Sequence, residues 1–441
     1  MKKEITLLGA GLVGSLMSIY LAKKGYSVSI YEKRDDMRKG NQQGGRSINL
    51  ALSNRGLKAL EEVGLAEQIK RLVIPMKGRM MHDVKGNLTY QPYGKEGQFI
   101  NSVSRSWLNE MLMDEAEKLG VNIHFEHRCS QVNLDTQALE FETPSGSKRI
   151  QSEVLLGADG AFSALRDAMQ RSDRFNYSQY YIEHGYKELC IEPQQGEFAM
   201  EPNALHIWPR GRFMMIALPN TNETFTCTLF LDYEGEDSFA NLQTPEQVEA
   251  FFKTYFPDVI PLIPDLTHQF FQNPTPSLVT VKCYPWVKNR TCLMGDAAHA
   301  IVPFYGQGMN AGFEDCRVLN ELIDTHQHNW DTILPEFQQA RKPNADAIAE
   351  LALKNFVEMR DLVADSQFLL QKKIEAHLHE QFPKDWIPLY SMVTFSDLSY
   401  ADALRIGQKQ HEIMQKVMSK PDIEKNWPNL DFASIVEQLK A

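Results

Sequence analysis

The chain has 441 residues, enough for two or three structural units with sizeable apolar cores. Its 46 basic and 57 acidic residues leave a net charge of -11, which argues against a nucleic-acid surface and leaves any anionic ligand to local arginines or helix ends. Six cysteines without a CxxC pair and twelve histidines without an HExxH motif argue against structural zinc and a disulfide framework, and point to a reducing compartment.

Lys2 and Lys3 ahead of the apolar stretch Ile5 to Ala22 imitate a secretory leader, but Gly9-Ala10-Gly11-Leu12-Val13-Gly14 inside it explains the stretch better. The spacing predicts a strand over Ile5 to Leu8 and a helix through about Lys24. In that context Gly9, Gly11 and Gly14, with Val13, allow a tight turn and a close backbone approach, and the helix N-terminus faces a pyrophosphate. A second strand, Val28 to Tyr31, ends in Glu32, eighteen residues beyond Gly14. An acid there accepts hydrogen bonds from an adenosine ribose and repels a 2′-phosphate, so FAD or NAD fits this site and NADP does not.

Arg46 to Leu52 leads into a helix signalled by Ser53-Asn54 and carrying Leu57, Leu60 and Val63. Loose alternation from Met76 to Tyr93, with a turn at Lys85-Gly86-Asn87, predicts a hairpin. A helix from Ser104-Arg105 and a strand at Val121 to Phe125 follow, then the apolar strand and turn Glu153 to Gly160. From about 175 to 285 helical periodicity fades, and Leu205 to Trp208, Phe213 to Leu218 and Phe225 to Leu231 read as strands of an antiparallel sheet. Thr291 to Met294 leads into Gly295-Asp296-Ala297-Ala298-His299, and beyond Pro335 the chain is mostly helical. No apolar run is long enough for a membrane span and Phe432 to Ala441 carries no anchor, so the expected location is cytoplasmic.

The expected fold is α/β: a Rossmann-type FAD-binding domain (1–70, 100–175 and 286–335), an inserted antiparallel β-sheet substrate domain (71–99 and 176–285) and a C-terminal helical region (336–441).

Gly306 and Gly308 flank Gln307 in the segment Pro303 to Asn310, just before a helix carrying Ala311, Phe313, Val318, Leu319 and Leu322. Such an entry exposes backbone N–H groups, and the helix dipole adds the partial positive charge that a reduced flavin would call for near N1 and C2. Asn355 falls within the apolar stripe Ile348, Leu351, Ala352, Met359 and Leu362, where a buried amide faces either a ligand or backbone. Arg79 could pair bidentately with a carboxylate or form a surface ion pair. Asp159 and Asp296 could bind cofactor or simply cap turns. No serine or cysteine triad is evident, and no metal set.

The glycine fingerprint, Gly157-Ala158-Asp159-Gly160 with Ser163 and Arg166, and Gly295-Asp296 occur in an order that resembles the class A flavoprotein monooxygenases, FAD-dependent aromatic hydroxylases. The resemblance implies bound FAD, NADPH or NADH as a transient reductant without its own Rossmann domain, and O2 delivered to an activated ring through a C4a-hydroperoxyflavin. Gly45 to Ser53, Pro303 to Asn310 with Phe313-Glu314-Asp315, Asn355 to Asp361, and Pro388 to Phe395 are similar to the branch of that family whose substrate is the aromatic amino acid L-kynurenine. This likeness extends over nearly the whole chain. It implies Arg79, Tyr93, Asn355 and Tyr390 at the amino-acid end of the substrate and Phe304 near its ring. Glu32, Arg34, Ala51, Arg105, Asp296, Met309 and Asn310 would contact FAD, with Gly308 and Asp159 beside it. The ring amine would activate the substrate without a phenol-type base. The family's animal and fungal members carry a C-terminal membrane anchor that is not expected in this chain. Hydroxylation of another aromatic acid, or a flavin-binding redox or partner module without hydroxylation, stays open on the residues alone.

Overall fold

A computed structural model describes residues 4–39, 49–93, 97–359 and 366–440. β1 (Glu4–Leu8) buries four of its five side chains and turns at Gly9, where φ is 94°, into the helix Leu12–Lys23. β2 (Ser27–Tyr31), β3 (Asn49–Leu52) and the helix Asn54–Glu62 follow, then β4 (Val73–Met76) and the hairpin β5 (Gly78–His82) and β6 (Leu88–Pro92). β7 (Ile100–Ser104) feeds the helix Arg105–Lys118. Next come β8 (Asn122–His124), an antiparallel trio β9 (Arg128–Asn133), β10 (Ala138–Thr143) and β11 (Gly146–Gln151), and β12 (Val154–Gly157). β13 (Asn176–Ile191), β14 (Ala204–Pro209), β15 (Met214–Pro219), β16 (Phe225–Asp232) and β17 (Ser277–Tyr284) precede the short β18 (Val287–Lys288) and β19 (Thr291–Leu293).

Two large sheets result. One runs β18-β19-β12-β1-β2-β8 and is parallel except at its outer β18–β19 pair. Its strands are apolar runs because side chains on both faces are buried; the helix Leu12–Lys23 packs on β1 and β2 and carries the helix Gly308–Thr325 against it. The other runs β17-β13-β16-β15-β14-β5-β6 and is antiparallel except where β14 meets β5. It draws its strands from 78–92 and 176–284. The small sheet β3-β7-β4 lies between these regions in sequence, so β4 at residues 73–76 pairs with β7 and not with the large antiparallel sheet.

The hairpin expected around Lys85-Gly86-Asn87 forms. Three features depart from expectation. The polar, half-exposed trio β9–β11 escapes a search for apolar periodicity. The region 175–285 contains the helices Pro245–Tyr255 and Leu266–Gln272, the first announced by a capping box in which Thr244 and Gln247 satisfy each other's backbone N–H. The C-terminal helical region begins at Trp330 and not at 336, because the helix Trp330–Val357 runs straight through Pro335 and Pro343. Among the described residues no helix is long and apolar enough to cross a membrane, and no group of His, Cys, Asp or Glu is arranged to hold a metal.

Candidate active site

One cavity of about 1050 Å³ runs from the carboxyl end of β1 to the face of the antiparallel sheet. The crevice outside the carboxyl ends of parallel strands is where such folds bind nucleotides. Gly9, Gly11 and Val13 line its first part, with Glu32, Arg34, Arg105 and Asp296; Ala51, Gly308 and Met309 line its middle; Phe304, Tyr390 and Arg79 line its far end.

The glycines do different work. A Cβ at Gly9 would stand 2.5 Å from the Ala158 carbonyl oxygen, and one at Gly14 would stand 2.0 Å from the Gly9 oxygen, so these two permit backbone to meet backbone. A Cβ at Gly11 would meet no protein atom within 4 Å. Gly11 therefore leaves room on the cavity side, at the N-cap of a helix whose first N–H groups have no intrahelical partner. Gly14, in contrast to the expectation, does not form cavity wall; it lets helix and strand pack.

Glu32 is buried, and burial alone would raise its pKa. Hydrogen bonds from the Arg34 side chain and from the Arg34 and Ala10 backbones outweigh that and hold it below the usual carboxylate range. An anionic acceptor thus stands at the end of β2, as a ribose diol requires. Arg34, with its side chain 63% exposed, covers it from the solvent side.

Asp159 is accounted for by its own helix. Its carboxylate accepts from the Ser163 hydroxyl at 2.6 Å and the Ala164 N–H at 2.8 Å, and Ser163 caps the Arg166 N–H. Burial raises its pKa against these bonds. It borders the cavity, but its acceptor atoms are engaged in fixing the turn.

Asn310 departs most from its expected contact with cofactor. Its amide donates to the carbonyls of Ala51 and Gly306 and accepts from the Ser53 N–H, all at 2.8–2.9 Å, so it ties β3 to the glycine-rich entry from behind the wall. Asn355 likewise donates to the Phe304 carbonyl at 2.7 Å and lies outside the lining, which places it as a support for Phe304. A carboxamide buried among apolar side chains takes the nearest backbone acceptor, and in both cases that acceptor is local.

At the far end, Arg79 stands on β5 with its guanidinium carbon 4.7 Å from the Tyr390 ring centroid and 5.5 Å from that of Tyr93. Tyr93 and Tyr390 stack at 5.4 Å; Tyr390 stacks on Tyr305 at 5.6 Å. Tyr93 itself is packed behind the wall and does not line it. Among the described residues the Arg79 Nε and the Tyr93 hydroxyl are buried without a hydrogen-bond partner, and no carboxylate lies within ion-pair distance of Arg79, the charge of Glu358 reaching it only from further away. Burial pushes the phenols of Tyr93 and Tyr305 far above the usual range, so both remain donors. Unsatisfied buried donors around a cation call for an anionic acceptor from outside the chain.

Between that end and the nucleotide crevice, the lining comes from alternate residues of adjacent strands: Met214, Ile216 and Leu218 on β15, and Thr226, Thr228 and Phe230 on β16. Phe304 stacks on Phe356 at 4.1 Å and tilts against Phe230 at 4.9 Å. Sequence reasoning missed these strand residues along with Tyr305 and Met359. The period-two alternation of β15 and β16 was a signal for two faces, but not for which face meets a ligand.

The resemblance strings Gly45 to Ser53 and Asn355 to Asp361 fall partly outside the described residues. A family model described as FAD binding domain matches residues 2–352. The chain is 49% identical over 442 residues to a protein of Christiangramia forsetii named kynurenine 3-monooxygenase, with 99% of each chain covered. It is 46% identical over 422 residues to a protein of Sus scrofa of the same name, covering 95% of this chain and 89% of that one. In fold it is similar to a 2-methyl-3-hydroxypyridine-5-carboxylic acid oxygenase, with a TM-score of 0.68 at 18% identity over 84% of this chain and 95% of the other.

Proposed function

This chain belongs to the kynurenine 3-monooxygenases, FAD-dependent flavoprotein monooxygenases, and from that premise we propose that it converts L-kynurenine to 3-hydroxy-L-kynurenine, consuming NADPH, a proton and O2 and releasing NADP⁺ and water. The observation that carries the substrate is Arg79. A guanidinium whose Nε is buried and unpartnered, with no carboxylate at ion-pair distance among the described residues and the rings of Tyr93 and Tyr390 beside it, suits a free amino acid carboxylate.

The residues present fit FAD. Gly11 lets the backbone approach a pyrophosphate with Arg105 beside it, Glu32 offers its acceptors to a ribose, and Ala51, Gly308 and Met309 would border the ring system. FAD bound there would supply the transfer of two electrons from the nicotinamide to O2 and of one oxygen atom to the ring. The chain's own contribution is placement. Arg79 would fix the substrate's carboxylate, Phe304, Phe230, Ile216 and Leu218 would hold the ring in a dry apolar slot, and the N-terminus of the helix Gly308–Thr325 would favour negative charge on its partner. The ring amine of kynurenine already donates electrons, so no residue has to remove a phenolic proton. Asp296, exposed at the cavity edge, would hold a hydroxyl of the FAD chain. All six cysteines are unpaired, which supports a reducing, cytoplasmic setting.

Aerobic turnover of the FAD-loaded protein with NADPH and L-kynurenine tests this reading, with 3-hydroxykynurenine and hydrogen peroxide measured in one sample. Product matching the NADPH consumed is expected; peroxide without product would overturn the substrate.

A further inference from the structure

Tyr390 sits on the helix Leu389–Phe395, only seven residues long and without a side-chain N-cap. A helix of that length does not hold itself, and its last carbonyls have no intrahelical partners. Ser396 and Asn54 take those of Met392 and Phe395, and Arg55, from the distant helix Asn54–Glu62, takes that of Val393 and ties down the turn that follows. Its Nε donates to the Val393 carbonyl at 3.0 Å and its Nη2 to the Leu398 carbonyl, while the guanidinium lies 4.1 Å from the Tyr400 ring centroid. Arg55 is 4% exposed and lines no part of the cavity.

Its orientation is fixed in turn. Nη1 donates to Glu314 Oε1 at 2.6 Å; Glu314 Oε2 accepts from Arg341 Nη1 at 2.6 Å, and Arg341 Nε donates to Asp315 Oδ1 at 2.6 Å. Asp315 Oδ2 accepts from the Gly295 N–H and from His299 Nε2. Two cations and two anions thus form a buried line from the turn before Asp296 to the end of the Tyr390 helix. Glu314 and Asp315 occupy the helix Gly308–Thr325, whose N-terminal turn borders the cofactor part of the cavity.

We propose that Arg55, held by Glu314, is the positioning residue that sets Tyr390 against Arg79 and so shapes the carboxylate end of the substrate site. The inference rests on the functional reading above for the identity of the substrate. Its geometric content does not. A lysine at 55 keeps the charge but cannot make three divergent hydrogen bonds in one plane, so the end of the Tyr390 helix loosens while FAD contacts stay in place.

The test compares Arg55→Lys, Glu314→Gln and wild type. Amide exchange over residues 389–398, measured without substrate, is expected to rise in Arg55→Lys and less in Glu314→Gln. The dissociation constant of L-kynurenine by calorimetry, and its KM, are expected to rise on the order of tenfold in Arg55→Lys. FAD affinity should stay within about twofold of wild type, as should KM for 2′-aminoacetophenone, which lacks the amino-acid end. Lys58→Gln removes an exposed ion pair with Asp397 between the same two segments, and should leave every readout unchanged. Unchanged exchange over 389–398 in Arg55→Lys overturns the inference whatever the substrate is, and so does a parallel loss for kynurenine, 2′-aminoacetophenone and FAD. Failure of wild type to bind kynurenine at all would instead overturn the functional reading.

Discussion

Arg79 and Tyr390 meet face to charge: the guanidinium carbon lies 4.7 Å from the ring centroid, and neither the arginine's Nε nor the neighbouring Tyr93 hydroxyl has a partner among the described residues. A cation–π contact offsets part of the cost of burying the charge, but it leaves the in-plane Nε and the Tyr93 hydroxyl open. Those donors define where an anion goes.

Arg79→Ala should therefore raise KM for L-kynurenine about a hundredfold, from the loss of roughly 2–4 kcal/mol of charge-assisted hydrogen bonding. Bound FAD should be unaffected. Steady-state kinetics beside the visible spectrum of the purified variant separates the two, and an unchanged KM would remove Arg79 from the carboxylate site.

Gly11 and Gly14 should respond oppositely to alanine. Gly14→Ala drives a methyl to 2.0 Å from the Gly9 carbonyl oxygen, a clash with backbone that no rotamer relieves, so the soluble yield and melting temperature should collapse. Gly11→Ala meets nothing in the protein and should melt normally after FAD is stripped, yet rebind FAD more weakly. Fluorescence titration of the stripped protein with FAD measures this; equal affinity for Gly11→Ala and wild type would mean the pyrophosphate lies elsewhere.

Asn310→Ala should act on stability. It removes one acceptor and two donors that join β3 to the glycine-rich entry and leaves the Ser53 N–H, Ala51 carbonyl and Gly306 carbonyl to find other partners. A loss of about 2–3 kcal/mol is expected in urea unfolding. Loss of FAD with no change in the midpoint would restore a direct cofactor contact.

His206 gives the protein a pH-dependent stability. It is buried on β14 against the His82–Asp258 pair, and desolvation lowers its pKa from 6.5 to about 4. In the unfolded chain it protonates near 6.5, in the folded chain only near 4, so between these values the unfolded state binds more protons. Stability is full above about pH 6.5 and falls as pH drops toward 4, by up to about 3 kcal/mol. Melting curves from pH 7.5 to 4.5 should show the decline, and His206→Asn should flatten that stretch of the profile. A profile identical to wild type would assign the decline to other groups.

The sequence determined the nucleotide crevice. Gly9, Gly11, Val13 and Glu32 act within one strand–turn–helix–strand unit, where neighbours in space are neighbours in the chain, and the cavity finds them where the pattern predicts. Phe304, Met309 and Tyr390 were legible through their strings, and they do line the cavity. Only the tertiary structure decided the rest. Asn310 and Asn355 turn their amides to nearby carbonyls because the closest acceptor wins, which no spacing rule encodes. Thr228, Ile216 and Phe230 became cavity wall because a seven-stranded sheet presents one of its two faces there, and alternation is blind to which. Arg55 reaches Val393 across 338 residues of chain, a contact created by packing alone.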